Sequence, residues 1–222
     1  MSNIINTTDL YIDDPTVATS NGISVLEEHG FRGIGLHTNR FEEKRENDGN
    51  KYIALVDIPG GYSSLDVRNF GIISAKEKGF SEVEIPCPIN YLAQFQIKKI
   101  NEDLKSISKI SQEFDINVRY GLDGMVINYL TDESLQKLSK VVINNGIKGL
   151  YILMPTGSRF NECFISARKM KNKTGVGVKM IMPSANLEKV QTSIKNGIDH
   201  LGISYSDYNC ICSYHNTIDT TS

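Results

Sequence analysis

The hydrophobic and polar positions of this chain repeat one short phrase four times: a polar stretch of helical character, a glycine, and then apolar residues at every second position. The copies are EHGFRGIGL around Gly30, EKGFSEVEI around Gly79, NNGIKGLYI around Gly146 and KNGIDHLGI around Gly197. A glycine just past a last helical turn adopts the left-handed conformation that other residues reach only with strain. The alternation that follows has the period of a strand, so each copy predicts a helix feeding a strand. Further strand-like runs lie between the copies, at Ile4 to Leu10, Tyr52 to Ile58, Ile116 to Leu122 and Val176 to Met182, which brings the count to eight. Eight strands separated by helix-length segments are what a closed (β/α)8 TIM barrel of the α/β class requires, with its site at the C-terminal strand ends.

Helix starts fall between these runs. Asp14-Pro15-Thr16 opens a segment that ends at His29, and Ser63-Ser64-Leu65-Asp66 and Thr131-Asp132-Glu133-Ser134 each carry first-turn hydroxyl and acid groups. Asn90 to Phe114 reads as one long amphipathic helix, and Ser184 to Lys195 as the last core helix. The highly charged stretch from Asn39 to Lys51, apolar only at Phe41, reads as a short helix and an exposed turn. The barrel is expected over residues 1–206, followed by a partly flexible tail over 207–222.

Bulk properties narrow the classes of function. At 222 residues the chain is near the lower end for a barrel. Its 24 Lys and Arg against 26 Asp and Glu give a net charge of −2, which makes no electrostatic case for nucleic acid or for a membrane surface. MSNIINTTDLYIDD lacks a basic region followed by an apolar one, and no apolar run is long enough to span a bilayer, so a cytoplasmic protein is expected. The four cysteines, Cys87, Cys163, Cys210 and Cys212, show no CxxC pair or metal spacing and read as free thiols; no metal or cofactor is expected.

Side-chain parity then points to chemistry. The apolar parity of a barrel strand faces the surrounding helices, so a polar residue on the other parity faces the interior. Val176, Val178 and Met180 turn Lys179 inward; Val83 and Ile85 do the same for Glu84, and Val118 and Tyr120 for Arg119. Ile34 and Leu36 leave Gly35 and His37 inside, and Ala54, Val56 and Ile58 leave Asp57 inside. Interior charges need partners, so pairs such as Glu84 with Arg119 are expected. Lys179, Glu84, Asp57, Arg119 and His37 are thus the candidate catalytic residues, expected near the C-terminal mouth. A desolvated lysine is a candidate amine nucleophile.

The ordered motifs INTTDL, EHGFRGIGLHT, GFSEVEIPCPINYL, PTGSRF, VGVKMIMP and GIDHLGIS, from Ile4 to about Ser204, resemble deoxyribose-phosphate aldolase. That family is one of class I aldolases, which cleave a sugar phosphate through a lysine imine. The resemblance implies that Lys179 matches the family's second active-site lysine, Glu84 its fourth-strand Asp and Asn6 its first-strand Asp. Where the family carries its imine-forming lysine ahead of a Thr-Gly, this chain reads Leu153-Met154-Pro155-Thr156-Gly157. The expected activity is therefore that of a divergent aldolase-like lyase acting on a carbonyl substrate, with an imine at Lys179 itself. Acid–base isomerase, cyclase or dehydratase chemistry without a covalent step is the alternative, as is a barrel that only binds a ligand or partner. Asn6, Tyr151, Thr156, Gly157, Gly202 and Ser204 complete the expected site as substrate-binding residues. Met182-Pro183 replaces the family's phosphate-cradling Gly-Gly. The expected substrate is therefore an unphosphorylated carbonyl compound set against Met154, Met182 and Tyr205, handled by a chain that is compatible with a homo-oligomer.

Overall fold

Gly30, Gly79, Gly146 and Gly197 all have positive φ, between 66° and 86°, and each follows a helix and stands three residues before a strand begins. The computed structural model describes residues 4–14, 16–41, 49–154, 160–209 and 211–212. Within it the strands are β1 (Thr8–Tyr11), β2 (Gly33–His37), β3 (Tyr52–Leu55), β4 (Glu82–Pro86), β5 (Asn117–Asp123), β6 (Gly149–Leu153), β7 (Gly177–Met182) and β8 (His200–Ser204). All are parallel, and they close into a barrel in sequence order, β8 pairing with β1. The helices are α1 (Thr19–His29), α2 (Leu65–Glu77), α3 (Ile89–Ala93), α4 (Ile97–Glu113), α5 (Gly124–Asn128), α6 (Asp132–Asn144), α7 (Phe160–Thr174) and α8 (Leu187–Lys195).

Several boundaries differ from the sequence pattern for local reasons. The first strand starts at Thr8, because Ile5–Thr7 forms a 3-10 turn in which the Thr7 and Thr8 hydroxyls both donate to the Ile4 carbonyl, each at 2.9 Å. The third strand ends at Leu55, and Asp57 lies beyond it with φ of 57°. The expected long helix is two, α3 and α4, since Phe95 between them has φ of 48°, which no α-helix admits. The last helix begins later than Ser184: the Asn186 side chain accepts from the Lys189 N–H at 2.9 Å and caps α8. Thr131 caps α6 as its hydroxyl position suggests, accepting from the Ser134 N–H.

The main apolar core lies between sheet and helices, where Leu10, Ile34, Leu36, Val83, Ile85, Tyr120, Val178 and Met180 point outward from the strands, as their parity requires. Met154 and Met182 belong to this outer core and are buried, so they are not available to line the mouth as expected for substrate contact. Ile211, in the segment expected as a tail, is fully buried against the same core. Among the described residues, no helix is long and apolar enough to cross a membrane.

Candidate active site

The register of the strands stacks the inward residues in layers. Lowest are Gly33, Glu82, Gly149 and His200, then Asp9, Ile53, Arg119 and Lys179, then Gly35, Glu84, Tyr151 and Gly202, then Tyr11, Leu55, Gly121 and Ile181. Glycines make room for the large side chains beside them. A Cβ on Gly35 or Gly202 would strike the Tyr11 ring, at 2.7 and 2.5 Å, and one on Gly121 would strike Tyr151 at 2.0 Å. Tyr11, Leu55, Tyr151 and Ile181 pack together with Ile58 and Leu153, and this apolar layer roofs the charged groups below.

Beneath the roof, Lys179 is 0% exposed. Its Nζ contacts carboxylate oxygens of Asp9 and Glu84 and donates to the Tyr11 hydroxyl at 2.8 Å. The Tyr11 hydroxyl donates in turn to the second oxygen of Glu84 at 2.6 Å. A lower group surrounds Glu82, which pairs with Arg119 at 2.7 Å, Lys51 at 2.8 Å and Arg32 at 3.1 Å; Arg32 also reaches Asp9. Burial pushes the Glu82 and Asp9 carboxyls up, but the adjacent cations more than reverse it and hold both below the usual carboxylate range. Burial, assisted by the Arg119 and Arg32 charges, pushes the His200 imidazole down to about 4. Burial and the Glu84 and Asp9 charges raise the Tyr11 hydroxyl well above its ordinary value, which keeps it a hydrogen-bond donor. Asp9, Glu82 and Glu84 lie close enough to share a metal ion, within 4.8 Å ligand to ligand, but the positions among them are filled by the basic side chains just named.

Beside the roof at Leu55, between the ends of β2 and β3 and α2, an open cleft of about 880 Å³ is lined by Asp13, His37, Leu55, Asp57, Ser63 and, on α2, Val67 and Phe70. Asp57 is held by the Arg68 guanidinium at 2.9 Å and by the Ser63 N–H and hydroxyl. Arg68 is buried and also grips Asp103 on α4 and the Pro86 carbonyl, so this carboxylate ties loop to helices.

The sequence-derived site is therefore divided. Lys179 and Glu84 meet, but inside the barrel and under the roof, not at the mouth. Arg119 also lies low, and its partner is Glu82, two residues before the expected Glu84; the side chain reaches toward the N-terminal end, where Glu82 opens β4. His37 and Asp57 stand at the mouth, apart from Lys179. Asn6 is exposed in the turn before β1, and the inward acid of that strand is Asp9. Tyr151 is in the roof, and its buried hydroxyl has no hydrogen-bond partner among the described residues. Gly202 lies under Tyr11, and Ser204 Oγ donates to Asp13 at 2.8 Å. Thr156 and Gly157 lie outside the described residues. Asp9, Tyr11, Glu82 and His200 were legible by the same parity rule, since Leu10, Val83, Ile85 and Leu201 mark the outward faces of their strands. Burial pushes the Cys87 thiol up to about 12, in keeping with an inert free cysteine.

No protein-family model and no curated protein sequence matches the chain. Solved structures do match. A tetrameric deoxyribose phosphate aldolase from Aeropyrum pernix superposes with a TM-score of 0.77 at 16% identity, covering 95% of this chain and 90% of its own. QR15, an aldolase, matches with a TM-score of 0.72 at 18% identity over 91% of this chain and 92% of its own. A mutant tryptophan synthase alpha-subunit from Pyrococcus furiosus matches at 0.59 and 14% identity, over 90% and 87%. The chain thus has the closed (β/α)8 barrel fold that these aldolases share.

Proposed function

We propose that this chain is an aldolase-like lyase that acts on a carbonyl compound entering at the C-terminal mouth, with Lys179 as its reactive amine. The observation that carries this reading is the Lys179–Tyr11–Glu84 triangle on the barrel axis, with Asp9 as a fourth member. An ammonium becomes a nucleophile only by losing a proton, and the Glu84 carboxylate is in contact to accept it. The amine then adds to the carbonyl carbon and water leaves, forming an iminium. A base takes the proton of the substrate's β-hydroxyl, the carbon–carbon bond breaks to an enamine and an aldehyde, and protonation at carbon followed by hydrolysis returns the lysine. Tyr11 links Lys179 to Glu84 and is the natural carrier of protons between them. Access requires the roof to part, and Leu55 is the roof residue that also lines the cleft.

Reduction with borohydride in the presence of acetaldehyde or pyruvate tests the reading. The expected result is an irreversible adduct on the peptide that contains Lys179, absent from Lys179→Met. A second reading is favoured by the complete burial of Lys179 and by the two carboxylates that already hold it. On that reading Lys179 stays charged and stabilises a developing oxyanion through Tyr11, without a covalent step. Turnover of a carbonyl substrate with no trapped adduct would establish it over the imine. The tetramer of the Aeropyrum pernix aldolase supports a homo-oligomer here, which sedimentation velocity would test.

A further inference from the structure

Carboxylates ring the mouth of the barrel. Asp13 follows β1, Asp57 follows β3, Asp123 ends β5 and Asp207 lies in the 3-10 turn after β8. In barrels of this fold the turns after the seventh and eighth strands commonly hold phosphate, because their free backbone N–H groups point at the anion. Here several donors in these turns, one backbone N–H and two hydroxyls, are already engaged by the chain's own acceptors. The Ala185 N–H, in the turn between β7 and α8, donates to Asp207 at 2.8 Å. The Ser204 hydroxyl, at the end of β8, donates to Asp13 at 2.8 Å, and Ser206 Oγ donates to Ser204 Oγ at 3.1 Å. Asn186 takes the Lys189 N–H, and Pro183 has no N–H to offer.

The nearby cations are engaged as well. Lys189 directs its Nζ to the Ser184 carbonyl at 2.7 Å, and Arg40 spends its guanidinium on the carbonyls of Ile12, Asp14 and Val17. Arg68 is held by Asp57 and Asp103. Among the described residues, an incoming phosphate would have to displace one carboxylate from its N–H and settle beside another, with like charges a few ångströms apart.

We infer that Asp207 and Asp13 determine specificity: they fill the anion-accepting turns of the mouth with the chain's own carboxylates, so that the carbonyl substrate is one without a phosphate group. The identity of these groups as substrate selectors rests on the lyase reading above; the exclusion of anions does not.

Titration with inorganic phosphate, followed at the backbone amide of Ala185 by nuclear magnetic resonance, tests the inference on the intact chain. The wild type is expected to show no saturable binding below about 10 mM. The double variant Asp13→Asn/Asp207→Asn, with folding checked by circular dichroism, is expected to bind at least about tenfold more tightly than the wild type. Saturable wild-type binding below about 10 mM overturns the inference, as does a folded double variant that gains no affinity. Should the variant not fold, the wild type titrated with glyceraldehyde 3-phosphate decides by the same threshold. These titrations read binding and not turnover, so their failure is distinguishable from failure to trap an adduct at Lys179.

Discussion

Lys179 is held by groups from two other strands, Asp9 and Tyr11 on β1 and Glu84 on β4, and a buried charge of this kind has opposite effects on chemistry and stability. Removing one member of a buried ion pair leaves the other uncompensated, so Lys179→Met should lower folding stability by about 3 kcal/mol, read by urea denaturation. If turnover survives well enough to be measured, kcat should fall on the order of 10²-fold or more, with KM changing less. Tyr11→Phe keeps the ring between Gly35 and Gly202 but removes the hydroxyl that joins lysine to carboxylate. A stability loss of about 1 to 2 kcal/mol is expected, with turnover falling further than that loss of fold would account for. Wild-type stability in Tyr11→Phe would mean that the bridge contributes nothing net.

At the scale of elements, the junction between helix and strand is where chain chemistry is plainest. Gly30, Gly79, Gly146, Gly175 and Gly197 take positive φ after their helices, whereas the same place after α4 is filled by Asp115, with φ of 46°. An aspartate tolerates this conformation at a cost that glycine does not bear. Asp115 is exposed, and the contact it offers to Lys76 comes from its backbone carbonyl, which glycine retains. Asp115→Gly should therefore stabilise the protein by about 0.5 to 1 kcal/mol in chemical denaturation, offset in part by the greater freedom of glycine in the unfolded chain. A loss of stability would show that the Asp115 side chain contributes something its geometry does not reveal. The break at Phe95 has no comparable sequence signal: no glycine or proline marks it, and the two apolar faces on either side run on in nearly helical register, which is why α3 and α4 read as one helix.

At the scale of the whole molecule, the buried charges predict an acid-labile fold. The unfolded chain binds a proton at His200 below about 6.5, whereas the folded one refuses it until about 4. More protons are then bound by the unfolded state, so stability falls as pH drops through that window, by on the order of 1 kcal/mol at pH 5. Below it, Asp9 and Glu82, both held low in the folded state, add to the loss as the unfolded carboxylates protonate. Thermal midpoints measured from pH 8 to pH 4 should decline from about pH 6.5 downward in the wild type, and more gently above pH 5 in His200→Asn. Closure of the barrel also explains the limits of the sequence reading. The alternation of Val83, Ile85, Val118, Val178 and Met180 settled which face of a strand each charged residue occupies, because the pleat has a period of two whatever the strand pairs with. The glycine phrases settled the number and order of elements, since each is a local turn chemistry complete within a few residues. Height along the barrel axis and choice of ion-pair partner are not local quantities. They follow from the stagger accumulated around eight strands, which sets Arg119 against Glu82, brings Tyr11 to Lys179 across 168 residues of chain, and closes an apolar roof over both.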